Sequence, residues 1–534
     1  MNEGKVLIWV IVTLFKLVFW ILRGVFRSIR GLVRLVSRRM KAAHDSGPGG
    51  SAPIPARIST AKSALPGAKT PPPAADRGAV ARLISAIGAI SERARPLAAR
   101  CDAERLCEPL RPTLRDFVLP RLAQAEAGLR GNLPQAVVTR LAASIRYLDG
   151  LTRLLEVMAD QRRDSALDEL IDDADALAAA CYRPVLEYCR NADIPLSSDR
   201  TATLFGDGCS PALGRIDDPT GLALLHLPWE WLSEVHRWPA IGHEVGHDFY
   251  DSVRGLDEEL LRRTGLDEAD SRATLVATQD VTLADVARIV RRWRHELAAD
   301  AFGAMMLGPA YAVATAAIFA DPEDPPNVLS VDVEGNRYDV HPPGQLRVAA
   351  VCRLLVNMGF GAQCEEIEKR WRAQHRNPRF ILLPTAAGTV ALNEEPFIEQ
   401  AVAFITTLQR EGHAALKGIP LYSMPGFDFG PREHVASQRI RDAFLAGTAP
   451  GAADARLLDA RLLISGAVLA WAERRQDGDR ILRAARLAVG NLELPVPRPA
   501  GARLQATETF AELVRDAFVL DLALAPPRAS LLRR

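Results

Sequence analysis

The sequence of 534 residues predicts a mainly α fold with one small β-sheet, flanked by helical regions and preceded by an N-terminal membrane helix. Three observations carry that expectation. Apolar residues recur at helical spacing through much of the chain, as in Leu83, Ile84, Ile87 and Ile90 and again in Leu148, Leu151, Leu154, Leu155 and Met158. A short apolar run, Gly221 to Pro228, follows the turn-forming Asp217-Asp218-Pro219-Thr220 and reads as a strand. Val6 to Leu22 is nearly uninterrupted apolar sequence, at the short limit for crossing a bilayer.

Taken in order, residues 1–22 are expected to be a transmembrane or interfacial anchor. Their apolar stretch has Lys16 as its one charge, and without a basic leader or a small-residue cleavage site it does not read as a removable signal peptide. Residues 23–41 form a basic amphipathic juxtamembrane helix, with Arg23, Arg27, Arg30, Arg34, Arg38 and Lys41 on one face and Phe26, Ile29, Val33, Val36 and Met40 on another. That stripe suits anionic membrane lipids on the cytoplasmic side, whether the first segment spans the bilayer or lies in its interface. A partner-binding amphipathic helix is the reading without a membrane.

Residues 42–77, rich in Pro, Gly, Ala and Ser and including Pro71-Pro72-Pro73, read as a disordered tether. Residues 78–200 are a helical region expected to pack on the core, residues 201–385 hold the chemistry, and residues 386–534 return to helices. Those are expected over Glu395–Arg410, Arg432–Leu445, Asp454–Arg475 and Gly478–Val489. Ala301 to Ala320 lacks any charge, yet its alanines and Pro309 suit a buried core helix better than a second span. A formal net charge of +1 gives no reason to expect a nucleic-acid partner. Seven cysteines without a C-x-x-C spacing read as reduced, buried thiols. Arginine far outnumbers lysine and alanine is abundant, a composition of GC-rich bacteria, so the expected location is a bacterial inner membrane with the bulk of the chain in the cytoplasm.

The most informative run is His243-Glu244-Val245-Gly246-His247. On a helix the two histidines lie one turn apart on the same face, so both imidazoles can grip one Zn²⁺ while Glu244 projects toward the open side of the metal. A catalytic zinc needs a third protein ligand. Glu296 and Asp300, a turn apart in apolar surroundings, offer one carboxylate for the metal and another to hold a ligand histidine by its free ring N–H. His341, stiffened by Pro342 and Pro343, can stabilise a developing oxyanion or cap the helix expected over Leu346–Leu355. Leu222, Ala223, Leu224 and Leu225 offer an edge strand to which an extended substrate can add. His226 and His236 read as a strand-end and a helix-surface residue, outside the metal set.

HEVGH, then the ELAAD run holding Glu296 and Asp300, then HPPGQLR from His341 to Arg347 resembles the gluzincin metallopeptidases, in particular the group of the CAAX prenyl endopeptidases and the bacterial heat-shock membrane zinc protease. The resemblance covers residues 203–355 and implies a zincin-like core. It implies His243, His247 and Glu296 as ligands of one Zn²⁺, Glu244 as general base, Asp300 as partner of a ligand histidine, His341 near the reaction centre, and Arg347 paired with a carboxylate. The expected function is a membrane-anchored endopeptidase acting on protein or peptide. The alternative is a catalytically silent zincin-like scaffold that binds a partner at the membrane. Nothing in the sequence speaks to oligomeric state.

Overall fold

Helix α1 (Arg77–Ala103) starts where Asp76 caps it, its carboxylate accepting from the backbone N–H groups of Gly78 and Ala79 at 3.0 and 3.1 Å. The computed structural model describes residues 76–490, apart from short internal stretches, and these lie within one compact unit. The anchor expected over 1–22, the basic stripe over 23–41 and nearly all of the tether over 42–77 lie outside the described residues, as do residues 491–534.

Helices α2 (Leu119–Leu129), α3 (Gln135–Gln161) and α4 (Asp168–Asn191) follow. The helical periodicity of α1 and α3 has its predicted effect: Ile87, Ile90 and Leu97 meet Leu151, Leu155 and Met158 in a core that α1–α3 share. This core also takes in Ala202, Leu204, Leu222 and Leu224 from one face of the sheet.

That sheet consists of β1 (Arg200–Gly206), β2 (Ala212–Arg215) and β3 (Leu222–Pro228). β3 is the middle strand, parallel to β1 and antiparallel to β2. Phe205, Leu225 and Leu227 point from the opposite face into a second, larger core, so both faces of β3 are covered. The expectation that Leu222, Ala223, Leu224 and Leu225 form an open edge is therefore corrected. Ala223, Leu224 and Leu225 pair on both sides, Leu222 pairs with Arg200, and all four side chains are buried. Its apolar residues lie on both faces, each face is packed against a core, and flanking strands pair along both of its edges.

The outer edge of β1 is closed by side chains. Gln161 donates to the Phe205 carbonyl at 2.7 Å and accepts from the Phe205 N–H at 3.0 Å. Arg162 donates to the Thr203 carbonyl at 2.7 Å, and Asp175 of α4 accepts from the Thr203 N–H at 2.7 Å. The buried Arg162 also pairs with Asp175 at 2.8 Å, locking α3, α4 and β1 together.

Next come α5 (Ala240–Ser252), α6 (Leu256–Arg263), α7 (Leu283–Leu307) and α8 (Pro309–Ile318). A reciprocal cap starts α7: Thr282 Oγ1 accepts from the Asp285 N–H at 3.2 Å and Asp285 accepts from the Thr282 N–H at 2.9 Å, a device that stabilises a helix by about 1 kcal/mol. The uncharged Ala301–Ala320 run belongs in the core as expected, but as two helices rather than one. Gly308, at φ +60°, ends α7 and Pro309 opens α8. Among the described residues no helix is long and apolar enough to cross a membrane.

The chain continues through the two-residue strands β4 (Val331–Asp332) and β5 (Arg337–Tyr338) into α9 (Gly344–Asn357) and α10 (Gly361–Gln374). A hairpin of β6 (Phe380–Thr385) and β7 (Gly388–Asn393) follows, where the sequence reading had only a return to helices. Helices α11 (Glu395–Arg410), α12 (Pro431–Ala446), α13 (Ala460–Glu473) and α14 (Gly478–Gly490) complete the described chain. Leu177, Phe302, Phe404, Leu463 and Val468 share one continuous core, so α4 and α11–α14 are part of the body that holds α5 and α7.

Candidate metal centre

The site depends on how closely two helices approach. A Cβ added to Gly246 of α5 would stand 2.7 Å from the Cβ of Phe302 and 3.0 Å from the Cα of Ala299, both on α7. One turn earlier, a Cβ on Gly242 would come within 3.1 Å of Leu307. The glycines let α5 and α7 pack with little side chain between them. His243 and His247 then meet Glu296 and Asp300.

His243 Nε2 lies 3.0 Å from His247 Nε2 and 3.3 Å from Glu296 Oε2, and His247 Nε2 lies 3.4 Å from Glu296 Oε1. All three side chains are buried, and they form the one group among the described residues whose donor atoms converge so that they could hold a metal ion. Glu244, next to His243 on α5, is buried as well.

Behind His243, Asp300 places Oδ1 3.0 Å from its Nδ1. Arg347, from the first turn of α9, donates to Asp300 Oδ2 through Nε at 2.8 Å and to Oδ1 through a terminal nitrogen at 2.6 Å. Its other terminal nitrogen is 3.5 Å from Glu296, and its guanidinium lies over the Phe319 ring at 4.9 Å. A Cβ on Gly344 would strike Phe319 at 2.6 Å, so the glycine opening α9 gives this ring its place.

The electrostatics follow from these contacts. Burial works against ionisation of Glu296, but His247, His243 and Arg347 outweigh it and hold its carboxyl well below the usual range. Burial also opposes the Asp300 charge, yet Arg347 and His243 bring it down to about 2. For His243 burial acts downward, and hydrogen bonds to Asp300 and Glu296 together lift it to about 9. The cluster thus favours positive charge at its centre, which a proton or a metal cation can supply.

His341 stands at the rim. Its side chain is 45 % exposed, its Nε2 is 3.6 Å from Glu296 Oε1, and its Nδ1 is 2.7 Å from Asp339 Oδ1. The predicted residues His243, His247, Glu296, Asp300, His341 and Arg347 are therefore brought together and Glu244 is buried next to His243 on α5, whereas Leu222 to Leu225 lie inside the sheet. His226 is a buried residue two positions before the end of β3. His236 is not on a helix surface: it lies in a short 3-10 turn, stacked on Trp471 with ring centroids 4.3 Å apart.

Two residues of the cluster were not anticipated. Tyr311, two residues into α8, donates to Asp300 Oδ1 at 2.7 Å. Asp339 takes the ring N–H of His341. An Asp two residues before a predicted site histidine was a readable signal for the second. Nothing local marked the tyrosine. Comparison with family models, with curated proteins and with solved structures finds no match to this chain.

Proposed function

We propose that this chain is a zinc-dependent endopeptidase of the gluzincin kind, with one Zn²⁺ per chain held by His243, His247 and Glu296. The observation that supports zinc is the spacing of the three donors. Ligand atoms at the corners of a tetrahedron about 2.0–2.1 Å from the metal lie about 3.3 Å apart, and here the separations are 3.0, 3.3 and 3.4 Å. Three ligands leave one corner for chemistry.

Zinc at that position supplies a Lewis acid that makes water a stronger acid and polarises a carbonyl. Glu244 takes the proton from the attacking water and returns it to the leaving amine, which is the task of a buried carboxylate next to the reaction centre. His341, held through its Nδ1–H by Asp339, presents Nε2 from the rim, and in its protonated form donates from there toward the developing oxyanion. The sheet edge that packs on α5 is β2, so an extended substrate segment adds there and not at Leu222–Leu225. In this reading the N-terminal segment anchors the enzyme to anionic lipids at the inner face of a bacterial membrane, and the substrates are proteins or peptides.

Glu244→Gln tests the reading in the full chain purified in detergent. Zinc content should stay near one per chain in parent and variant, while cleavage of a denatured-protein peptide library should fall by about 10²–10⁴-fold. Equal cleavage by both proteins would sink the mechanism.

A further inference from the structure

We propose that Tyr311 is a positioning residue for the ligand His243, its buried hydroxyl acting with the Asp300 carboxylate to fix which ring nitrogen of that histidine faces the metal. This rests on the metal reading above. The phenol donates to Asp300 Oδ1 at 2.7 Å, and its oxygen lies 3.2 Å from His243 Nδ1. A phenol has one proton to give. Once it is given to Asp300, the oxygen turns lone pairs toward Nδ1, which must then carry a hydrogen. The lone pair of the neutral imidazole is left on Nε2, the atom nearest His247 and Glu296. The other tautomer would set a bare Nδ1 against the Asp300 and Tyr311 oxygens, with only an Arg347 terminal N–H at 3.3 Å to serve it, and would push an N–H into the ligand group.

Asp300 alone does this incompletely. Its Oδ1 already receives Arg347 at 2.6 Å and Tyr311 at 2.7 Å, with His243 Nδ1 a third donor at 3.0 Å. A carboxylate oxygen offers about two lone-pair directions. With the phenol proton on Oδ1, the tyrosine oxygen becomes a second acceptor within reach of Nδ1, so the two residues hold that nitrogen together. The fold accommodates the ring deliberately at this point: a Cβ on Gly303 would stand 2.3 Å from Tyr311 Cε2, so α7 is bare where the ring crosses it. The break at Gly308-Pro309 directs α8 back over the same turn.

The test uses the full chain in detergent, with zinc affinity measured by competition against a chelator and Co²⁺ substitution read by visible absorption. Tyr311→Phe removes the hydroxyl and leaves the ring. Zinc affinity should fall by about 10–100-fold, as is usual when the partner of a ligand histidine is lost. The Co²⁺ bands should change, and the metal-free helical circular dichroism should match the parent. Combined with Asp300→Asn, the loss should be smaller than the product of the two single losses, because both changes act on one nitrogen. Parental affinity and Co²⁺ bands in Tyr311→Phe would overturn the proposal, and so would multiplicative losses or a matching loss of helical signal. A parent chain that binds no metal would overturn the metal reading as well, a failure distinguishable from an indifferent Tyr311→Phe in a parent that binds zinc.

Discussion

Arg162 and Arg347 are both buried arginines facing aspartates, yet they belong to opposite kinds of cluster. Around Arg162 one guanidinium meets one carboxylate, and both also bind the backbone of Thr203. Around Arg347 the guanidinium faces Asp300 and Glu296, with the imidazoles of His243 and His247 close by. The first group is balanced within itself. The second has more acceptors than its single permanent cation can serve. Their carboxyls respond accordingly: burial pushes Asp175 upward despite Arg162, whereas Arg347 and His243 overcome burial at Asp300. Burial of charge is not what sets the candidate metal centre apart; the surplus of converging acceptors is.

The sharpest way to break this contrast is Arg162→Met. Removing one partner of a buried pair costs about 3–5 kcal/mol, and urea unfolding should show the same loss with zinc present and with chelator present. A cost that disappears on chelation would tie this pair to the metal and erase the distinction. Gly246→Ala is expected to be milder, about 1–3 kcal/mol for overpacking, because its new Cβ must displace Phe302 or the backbone at Ala299. It should also weaken zinc binding by wedging α5 from α7. Destabilisation with unchanged zinc affinity would show that the close approach is structural only.

The smallest effect concerns pH and compares the buried His243 with the half-buried His236. Burial pushes His236 down to about 4, with Glu234 opposing and Arg237 assisting, in contrast to the upward shift of His243 among its acids. The unfolded chain takes up the His236 proton near pH 6.5 and the folded chain only near 4. The neutral form therefore contributes stability above pH 6.5 that is lost as pH falls from 6.5 to 4. Urea midpoints across that window should decline in the parent and decline less in His236→Phe. Identical slopes would mean that other groups set the acid response.

How much was legible beforehand differs by element. Helix α11 was expected over Glu395–Arg410 and runs over those residues, since its apolar stripe at Phe397, Ile398, Ala401, Phe404 and Ile405 admits one register. The metal group was readable because its spacing is local: His243 and His247 share a turn, as do Glu296 and Asp300. What escaped is what depends on distant chain. The hairpin of β6 and β7 was hidden between helices, with an alternation interrupted by Pro384 and a Thr-Ala-Ala-Gly turn. Tyr311 reaches Asp300 only because α8 folds back on α7. The place of β3 depends on which strands flank it, and no property of Leu222–Leu225 alone distinguishes a central strand from an edge with buried faces.

The amide of Gln161 has a consequence for the fate of the sheet. By offering Phe205 one donor and one acceptor at the spacing of a peptide group, it serves as a one-residue imitation of a fourth strand. Arg162 and Asp175 do the same for Thr203. A sheet terminated in this way has a polarity: growth by recruitment of foreign chain is blocked at β1, so a recruited strand would have to add at the other margin, that of β2. A helix end thus protects the sheet against self-association and directs any incoming strand to the margin next to α5.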